Sequence, residues 1–75
     1  MQRKVRELKA DLRRAGYRLL RARGKGSHSR YAHPLVPDWP VTISGGDGDD
    51  ARPYQEDQVS EALRRADEAT RRQAP

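Results

Sequence analysis

The sequence lacks cysteine and has no long apolar segment. Without cysteine, disulfide bonds and zinc sites built from thiolates are excluded, and nothing in the chain requires an oxidising compartment. No apolar run reaches even the length of a signal peptide. We therefore expect a soluble protein of the cytoplasm with no membrane partner.

Large apolar residues are also scarce. Apolar residues make up 33% of the 75 positions and aromatic residues only 5%, whereas charged residues make up 36%. A chain of this length buries only about 60% of the surface that its unfolded form exposes. We expect one marginally stable domain over residues 1–75, with a thin core and no internal repeat.

The positive charge is concentrated in one half of the chain. Residues 1–33 carry 11 of the 16 Lys and Arg residues and only 2 of the 11 acidic residues, a balance of +9, whereas residues 34–75 carry a balance of −4. Such an excess of cations over one region is the electrostatic footprint of nucleic-acid binding. It is equally consistent with a solvated surface that only keeps the protein in solution.

The spacing of apolar residues predicts a helix on each side of a central region. Apolar residues recur every three or four positions over residues 3–15, and Gly16 follows as a helix stop. The same spacing, with acidic residues in the first turn, predicts a second helix over residues 54–72. The apolar positions are Val5, Leu8, Leu12 and Ala15 in the first helix and Val59, Ala62, Leu63, Ala66 and Ala69 in the second.

Three strands are predicted between the helices. Residues 17–23 and 27–33 flank a Gly-Lys-Gly turn, which is typical of a β-hairpin. Residues 39–44 form the third strand after a proline-bracketed turn at 34–37, and Pro40 indicates that this strand lies at a sheet edge. The predicted fold is α+β, with the order α-β-β-β-α, a three-stranded antiparallel sheet, both helices on one face and the other face open.

Period-2 geometry separates the side chains of the second strand into two sets. If Tyr31 points into the core, His33 points there too, while His28 and Arg30 stand together on the open face. We therefore expect a structural role for His33. Because so few large residues are available, we also expect Tyr31 and Trp39 to pack in the core rather than to stack on bases.

Residues 45–53 are a loop by composition. The aspartates Asp47, Asp49 and Asp50 do not reproduce an EF-hand calcium loop, which needs a glycine at its sixth position and a glutamate at its twelfth. We expect no metal there and a solvated loop. The alternatives are that these carboxylates dock against the basic first helix or limit the approach of RNA from one side.

Several short motifs run through nearly the whole chain. They are Gly16-Tyr17 after the first helix, Gly26-Ser27-His28, Tyr31 as the following aromatic, His33-Pro34, the run Val41-Thr42-Ile43, and Asp47 to Ala51 with Tyr54-Gln55-Glu56. In combination they resemble the HicA family of toxin mRNA interferases, the small ribonucleases of HicA–HicB toxin–antitoxin pairs. The hairpin turn, through Gly24-Lys25, is longer than in compact members of that family. The acidic loop resembles that of one branch of HicA-like sequences, whereas many other members carry basic or histidine-containing segments there.

The resemblance implies a fold like that of the double-stranded RNA-binding domain. It also implies cleavage of mRNA without a metal or other cofactor, and neutralisation by a HicB-like antitoxin protein. His28 matches the family's Gly-Ser-His histidine, which makes it the implied catalytic residue.

The chemistry of the residues is consistent with this function. An RNA 2′-hydroxyl attacks the adjacent phosphorus once it is deprotonated, and histidine, with an unperturbed pKa of about 6.5, can move that proton at neutral pH. Arginine or lysine stabilises the charge of the pentacoordinate phosphate, and glycine lets backbone amides approach it. The predicted RNA contacts are Arg30 first, then Lys25 and Arg23, with Gly26 and Ser27.

Two alternatives stay open on the sequence alone. One is a double-stranded RNA-binding-type module that grips phosphates through the first helix and the hairpin without cleaving. The other is an interaction protein whose basic face binds an acidic partner. A lone histidine on a strand of a basic domain is more often a phosphate contact or a surface residue than a catalyst.

Overall fold

The computed structural model describes residues 3–20 and 28–73. Within them the strands form one antiparallel sheet in the order β1-β2-β3. The predicted α+β fold, with the order α-β-β-β-α and an open sheet face, is confirmed. The elements are α1 Val5–Arg14, β1 Arg18–Leu19, β2 Ser29–His33, β3 Val36–Ile43 and α2 Pro53–Gln73.

Helix α1 ends in a Schellman motif. The Tyr17 N–H donates to the Leu12 carbonyl at 2.9 Å and the Gly16 N–H donates to the Arg13 carbonyl at 3.1 Å, so two carbonyls at the helix end are satisfied. Gly16 has φ +101°, a conformation that favours glycine. Leu12 and Tyr17 are both buried, and the chain leaves the helix directly into β1.

Strand β3 begins three residues earlier than the sequence predicts. The turn before it occupies only Pro34 and Leu35, and β3 then runs through Pro37 and Pro40. The prediction of a turn extending to Pro37 is therefore wrong. The strand tolerates both prolines because β3 lies at the edge of the sheet, where a missing N–H breaks no central ladder. The predicted edge position is confirmed.

The core lies between the sheet and the two helices. The α2 side of the core is built largely of alanine, which allows the helix to approach closely and leaves the core thin, as expected. Neither described helix has the length and apolar character needed to cross a bilayer. The core residues are Val5, Leu8, Leu12, Tyr17, Tyr31, Val36, Val41, Ile43, Ala51, Val59, Ala62 and Ala66.

Candidate functional site

The structure describes two of the predicted site residues. His28 directly precedes β2 and is exposed, and Arg30 is exposed within β2. The other predicted RNA contacts, Arg23, Lys25, Gly26 and Ser27, lie outside the described residues, as does the predicted hairpin turn.

The alternation along β2 determines which face each of these side chains occupies. Tyr31 is buried and pairs with Val41 of β3, which is also buried. Arg30 is exposed and pairs with Thr42, which is exposed as well. Arg30 therefore lies on the sheet face that the helices leave open. His28, two residues earlier, shares that face by period-2 geometry.

Strand β1 adds a second arginine to the open face. Arg18 is exposed and pairs with Ala32, so it lies diagonally across from Arg30, at a spacing that long side chains bridge. The sequence prediction missed Arg18, although its signal was available. Tyr17 and Arg18 alternate as buried and exposed residues, which places the arginine opposite the core.

These two arginines differ from those of α2 in their ion pairs. Within residues 3–20 and 28–73, no carboxylate pairs with Arg18 or Arg30. The arginines of α2 are paired to acids on their own helix, which leaves less charge for a ligand. These pairs join Arg64 and Arg65 to Glu61, Arg64 and Arg72 to Glu68, and Arg71 to Asp67.

His33, at the other end of β2, is a structural residue, as predicted. It is only 5% exposed. Its Nδ1 accepts the Leu35 N–H at 3.0 Å, so the ring proton resides on Nε2, which donates to the Ala15 carbonyl at 2.9 Å. With both nitrogens bonded to backbone, the ring joins the end of α1 to the turn before β3.

Gly16 and Tyr17 enclose the His33 ring. A Cβ atom on Gly16 would lie 2.7 Å from Nε2 of His33, so only glycine leaves room for the ring. Tyr17 contacts His33 edge to face, with 5.0 Å between ring centroids, and its hydroxyl donates to the Trp39 carbonyl at 3.0 Å. Burial raises the pKa of the Tyr17 phenol above its usual value. The motif pair Gly16-Tyr17 and His33-Pro34 thus forms one packed unit.

Trp39 is not available as a base-stacking platform. It is half-buried and packs against the core, and the guanidinium of Arg65 lies 4.0 Å from the centre of its ring. Arg65 is in turn held by Glu61 at 2.8 Å. The prediction that Trp39 packs rather than stacks is confirmed.

The acidic loop is exposed, as expected, but it is also docked on α1. The Asp47 carboxylate accepts from Lys9 at 2.7 Å and the Asp50 carboxylate from Lys4 at 2.6 Å. These bonds realise the alternative in which the aspartates dock against the basic helix. The Lys9 ammonium lowers the pKa of Asp47, chiefly through this hydrogen bond.

The loop backbone also caps α1. The first N–H groups of a helix have no partner within the helix, and here Val5 and Arg6 donate to the carbonyls of Asp49 and Asp47 at 2.9 and 3.2 Å. The Asp49 carboxylate accepts the Gly46 N–H at 2.8 Å. Among residues 3–20 and 28–73, no group of three or more His, Cys, Asp or Glu side chains is arranged to hold a metal ion.

Gln55 fastens α2 to the end of β3, a role that the sequence did not reveal. Its side chain is buried, although it is polar. Nε2 donates to the Ser44 carbonyl at 2.8 Å, and Oε1 accepts the Arg52 N–H at 2.8 Å. The start of α2 is therefore fixed at the same end of the sheet as His28, because Ile43, which precedes Ser44, pairs with Ser29.

The family comparison agrees with this fold and these motifs. The family model described as the HicA toxin of bacterial toxin–antitoxin systems matches residues 5–67. Comparisons with curated proteins and with solved structures give no match. The match covers α1, the three strands, His28 and most of α2, so the chain belongs to the HicA family of toxins of toxin–antitoxin systems.

Proposed function

We propose that this toxin is an mRNA endoribonuclease that works without a metal ion, with His28 as its proton-transfer residue, and that a HicB-like antitoxin neutralises it in the cytoplasm. The observation that carries the proposal is the position of His28. It is exposed, on the open face of the sheet, beside cations without carboxylate partners among the described residues. The family match from residue 5 to residue 67 supports a ribonuclease-type toxin.

The proposed reaction needs one proton acceptor and a source of positive charge. His28, in its neutral form, takes the proton from an RNA 2′-hydroxyl, and the 2′-oxygen attacks the adjacent phosphorus. The 5′-oxygen of the next nucleotide leaves and takes up a proton from water, and His28 afterwards releases the proton it accepted to water. The products are a 2′,3′-cyclic phosphate and a 5′-hydroxyl.

Arg30 and Arg18 are placed to act on the phosphate. The pentacoordinate phosphate carries more negative charge than the ground state, and guanidinium groups aimed at it lower the barrier. Neither arginine has an ion pair with a described residue. Binding RNA therefore breaks no existing pair of these two residues.

The test is a cleavage assay on a long single-stranded RNA in EDTA, with the new ends analysed chemically. We expect the wild type to cut and to leave 2′,3′-cyclic phosphate. His28→Ala removes the proton acceptor and should lower the rate about 100-fold or more, while its affinity for RNA stays within about twofold of the wild-type value. Gln73→Ala, an exposed polar residue at the end of α2, serves as the control and should cut at the wild-type rate.

The rival function is a binding module that does not cleave. Its specific prediction is that wild type and His28→Ala both retain the RNA in a gel-shift assay and that neither produces new ends. Cleavage that depends on added Mg²⁺ and survives in His28→Ala would also contradict the proposal. The cleavage rates and RNA affinities of Arg30→Gln and Arg71→Gln are then compared. Arg30 lies on the open face without an ion pair to a described residue, whereas Arg71 is already paired with Asp67, so the comparison measures what the open-face cation contributes.

A further inference from the structure

Thr42 of β3 lies beside Arg30 on the open face of the sheet. The two residues are partners in the register of β2 and β3, and both are exposed. Residues opposite each other in antiparallel strands have Cβ atoms about 5 Å apart. His28 lies two residues before Arg30, which is about 7 Å along a strand. A hydroxyl, a guanidinium and an imidazole are therefore near enough to contact one phosphodiester group together.

The backbone on each side of Thr42 is fixed by packing. Val41 and Ile43 are both 0% exposed, and they pair with Tyr31 and Ser29 of β2. Because side chains alternate along a strand, the burial of these two residues holds the Thr42 side chain on the opposite face. Threonine is branched at Cβ, which restricts its χ1 angle. Its hydroxyl therefore loses little conformational freedom when it binds a ligand.

The Thr42 hydroxyl is available to a ligand as far as the described residues are concerned. Within 3–20 and 28–73, no hydrogen bond engages it. A ligand that accepts a hydrogen bond from Thr42 therefore replaces solvent and breaks no contact with a described residue.

The surroundings of Arg30 indicate which side of it a polar ligand contacts. On the β1 side the Leu20 N–H donates to the Arg30 carbonyl at 2.7 Å, and the Leu20 side chain beside it is apolar and 42% exposed. On the β3 side Thr42 offers a hydrogen-bond donor. Arg18, diagonally across, adds a second cation. Guanidinium groups and a hydroxyl can all donate, and phosphate oxygens accept, so this arrangement suits a phosphate.

We infer that the Thr42 hydroxyl donates a hydrogen bond to a non-bridging oxygen of the RNA phosphate that Arg30 binds. The inference rests on the proposed function, under which this is the scissile phosphate. That oxygen gains negative charge as the pentacoordinate phosphate forms, so the hydrogen bond is stronger in the transition state than in the ground state. Thr42 therefore accelerates cleavage more than it tightens binding.

The alternative is that threonine occupies this position only because β-branched residues favour strands. Thr42→Val separates the two explanations, since valine keeps the branched shape and the strand preference but replaces the hydroxyl with a methyl group. Its urea midpoint should equal that of the wild type. Thr42→Ser keeps the hydroxyl and gives up the branch.

The first test is single-turnover cleavage of a single-stranded RNA in EDTA. Thr42→Val should cut about tenfold more slowly than the wild type, and Thr42→Ser should stay within about threefold. Thr70→Val is the matched control, because it makes the same substitution at the other threonine of the chain, which is exposed on α2. It should cut at the wild-type rate. A Thr42→Val protein as fast as Thr70→Val would overturn the inference.

RNA affinity is measured in a His28→Ala background, in which cleavage is blocked. The anisotropy of a fluorescent single-stranded oligonucleotide, at one fixed salt concentration, gives the dissociation constants. Adding Thr42→Val should weaken binding about threefold, less than it slows cleavage, and adding Thr70→Val should not change it. A loss of affinity as large as the loss of rate would overturn the claim that the hydrogen bond strengthens in the transition state.

A second test identifies the oxygen atom. Sulfur, a weak hydrogen-bond acceptor, replaces one non-bridging oxygen at the cleaved linkage, and the two diastereomers are assayed separately. For one of them, sulfur should slow the wild type about tenfold more than it slows Thr42→Val, which is the signature of a direct contact in a double-mutant cycle. Equal effects of sulfur in the two proteins, for both diastereomers, would overturn the inference.

The two proposals fail separately in these assays. Cleavage by the wild type, with Thr42→Val and Thr70→Val equally fast, would refute the role of Thr42 and leave the ribonuclease standing. If the wild type did not cleave but Thr42→Val still bound RNA more weakly than Thr70→Val, the ribonuclease proposal would be wrong and Thr42 would remain a phosphate contact of a binding module. No cleavage together with equal affinities would overturn both.

Discussion

The two ends of β2 place the two histidines of this chain in opposite surroundings. The His33 end is buried, and both ring nitrogens are bonded to backbone groups. The His28 end is exposed. Only four residues lie between them in the sequence, and His28 directly precedes β2 whereas His33 is its last residue. The residue type is the same, so the environment determines that His33 is structural and leaves His28 free to meet a ligand.

The two ends also differ in what holds them together. Around His33 the contacts are made by packed rings and by hydrogen bonds to backbone, with Gly16 and Tyr17 in direct contact. At the His28 end, the acidic loop is held to α1 by surface ion pairs and loop carbonyls. Close packing such as that around His33 is sensitive to the addition of a single methyl group. Each surface ion pair, by contrast, contributes little to the free energy of unfolding, and salt weakens it. Substitutions at the two ends should therefore have different consequences.

The largest effect on stability is expected for His33→Ala. The substitution leaves the Ala15 carbonyl and the Leu35 N–H without their partners and removes the ring against Tyr17, at a cost of about 3 kcal/mol of unfolding free energy. His28→Ala should change that free energy by less than about 0.5 kcal/mol, because its side chain is exposed. Urea unfolding monitored by circular dichroism measures both. Equal losses of unfolding free energy in the two variants would show that the two ends of β2 do not differ in how much their histidines stabilise the fold.

Gly16→Ala should be the next most damaging change. Its φ of +101° is strained for any side chain, and the new methyl group would lie 2.7 Å from Nε2 of His33. We expect a loss of about 2 kcal/mol. Gly48→Ala is the matched control, since an added Cβ there meets nothing within 4 Å, and it should stay within about 0.5 kcal/mol of wild type. A Gly16→Ala protein as stable as Gly48→Ala would show that the His33 pocket is not tightly packed.

A smaller loss of stability is expected for Tyr17→Phe. The substitution removes one hydrogen bond to the Trp39 carbonyl and should lower the unfolding free energy by about 1 kcal/mol at pH 7. Burial raises the pKa of Tyr17 above its ordinary value of 10.0. The folded protein therefore holds the phenol proton more tightly than the unfolded chain does, so this stability is present below pH 10.0 and lost as the pH rises through the folded pKa. Tyr17→Phe should abolish that alkaline loss, measured as the change in urea midpoint between neutral and strongly alkaline pH. The exposed Tyr54→Phe should keep it.

Much of the fold could be predicted because its signals are local. Apolar residues every three or four positions located both helices, Pro40 located the sheet edge, and alternation in β2 separated His33 from His28 and Arg30. The sequence places the start of β3 three residues too late, because proline is typical of a turn. At a sheet edge Pro37 is tolerated within a strand, and the edge is a property of the whole sheet.

The features that could not be predicted depend on contacts between distant segments. Gly16 was recognised as a helix stop, but nothing local shows that its missing side chain makes room for a ring 17 positions later. The pairing of Lys9 with Asp47 joins residues 38 positions apart, so docking of the acidic loop is only one of three possibilities that the sequence leaves open. The hydrogen-bonding role of Gln55 gave no signal, since its partners, the Ser44 carbonyl and the Arg52 N–H, are backbone groups. The role proposed for His28 rests on motif resemblance, because no local pattern distinguishes a catalyst from a phosphate contact.

The smallest effect on stability is expected for Asp47→Asn at low pH. It tests the ion pairs at the His28 end of β2, which have no counterpart among the described residues around His33. The hydrogen bond from Lys9 holds the pKa of Asp47 below its ordinary value of 3.8. A carboxyl with a lowered folded pKa stabilises the protein above its unfolded pKa, and this contribution is lost as the pH falls through the folded value. Asp47→Asn should therefore lose less stability than wild type between neutral pH and pH values below 3.8, and 1 M salt should narrow the difference by screening the exposed pair. Asp57→Asn removes an exposed carboxylate that has no ion pair among the described residues and is the matched control, with the same loss of stability in acid as the wild type. Urea midpoints for the three proteins at the two pH values decide the question. Identical acid sensitivity in wild type and Asp47→Asn would mean that the loop is held by its backbone carbonyls on α1 and not by its charges.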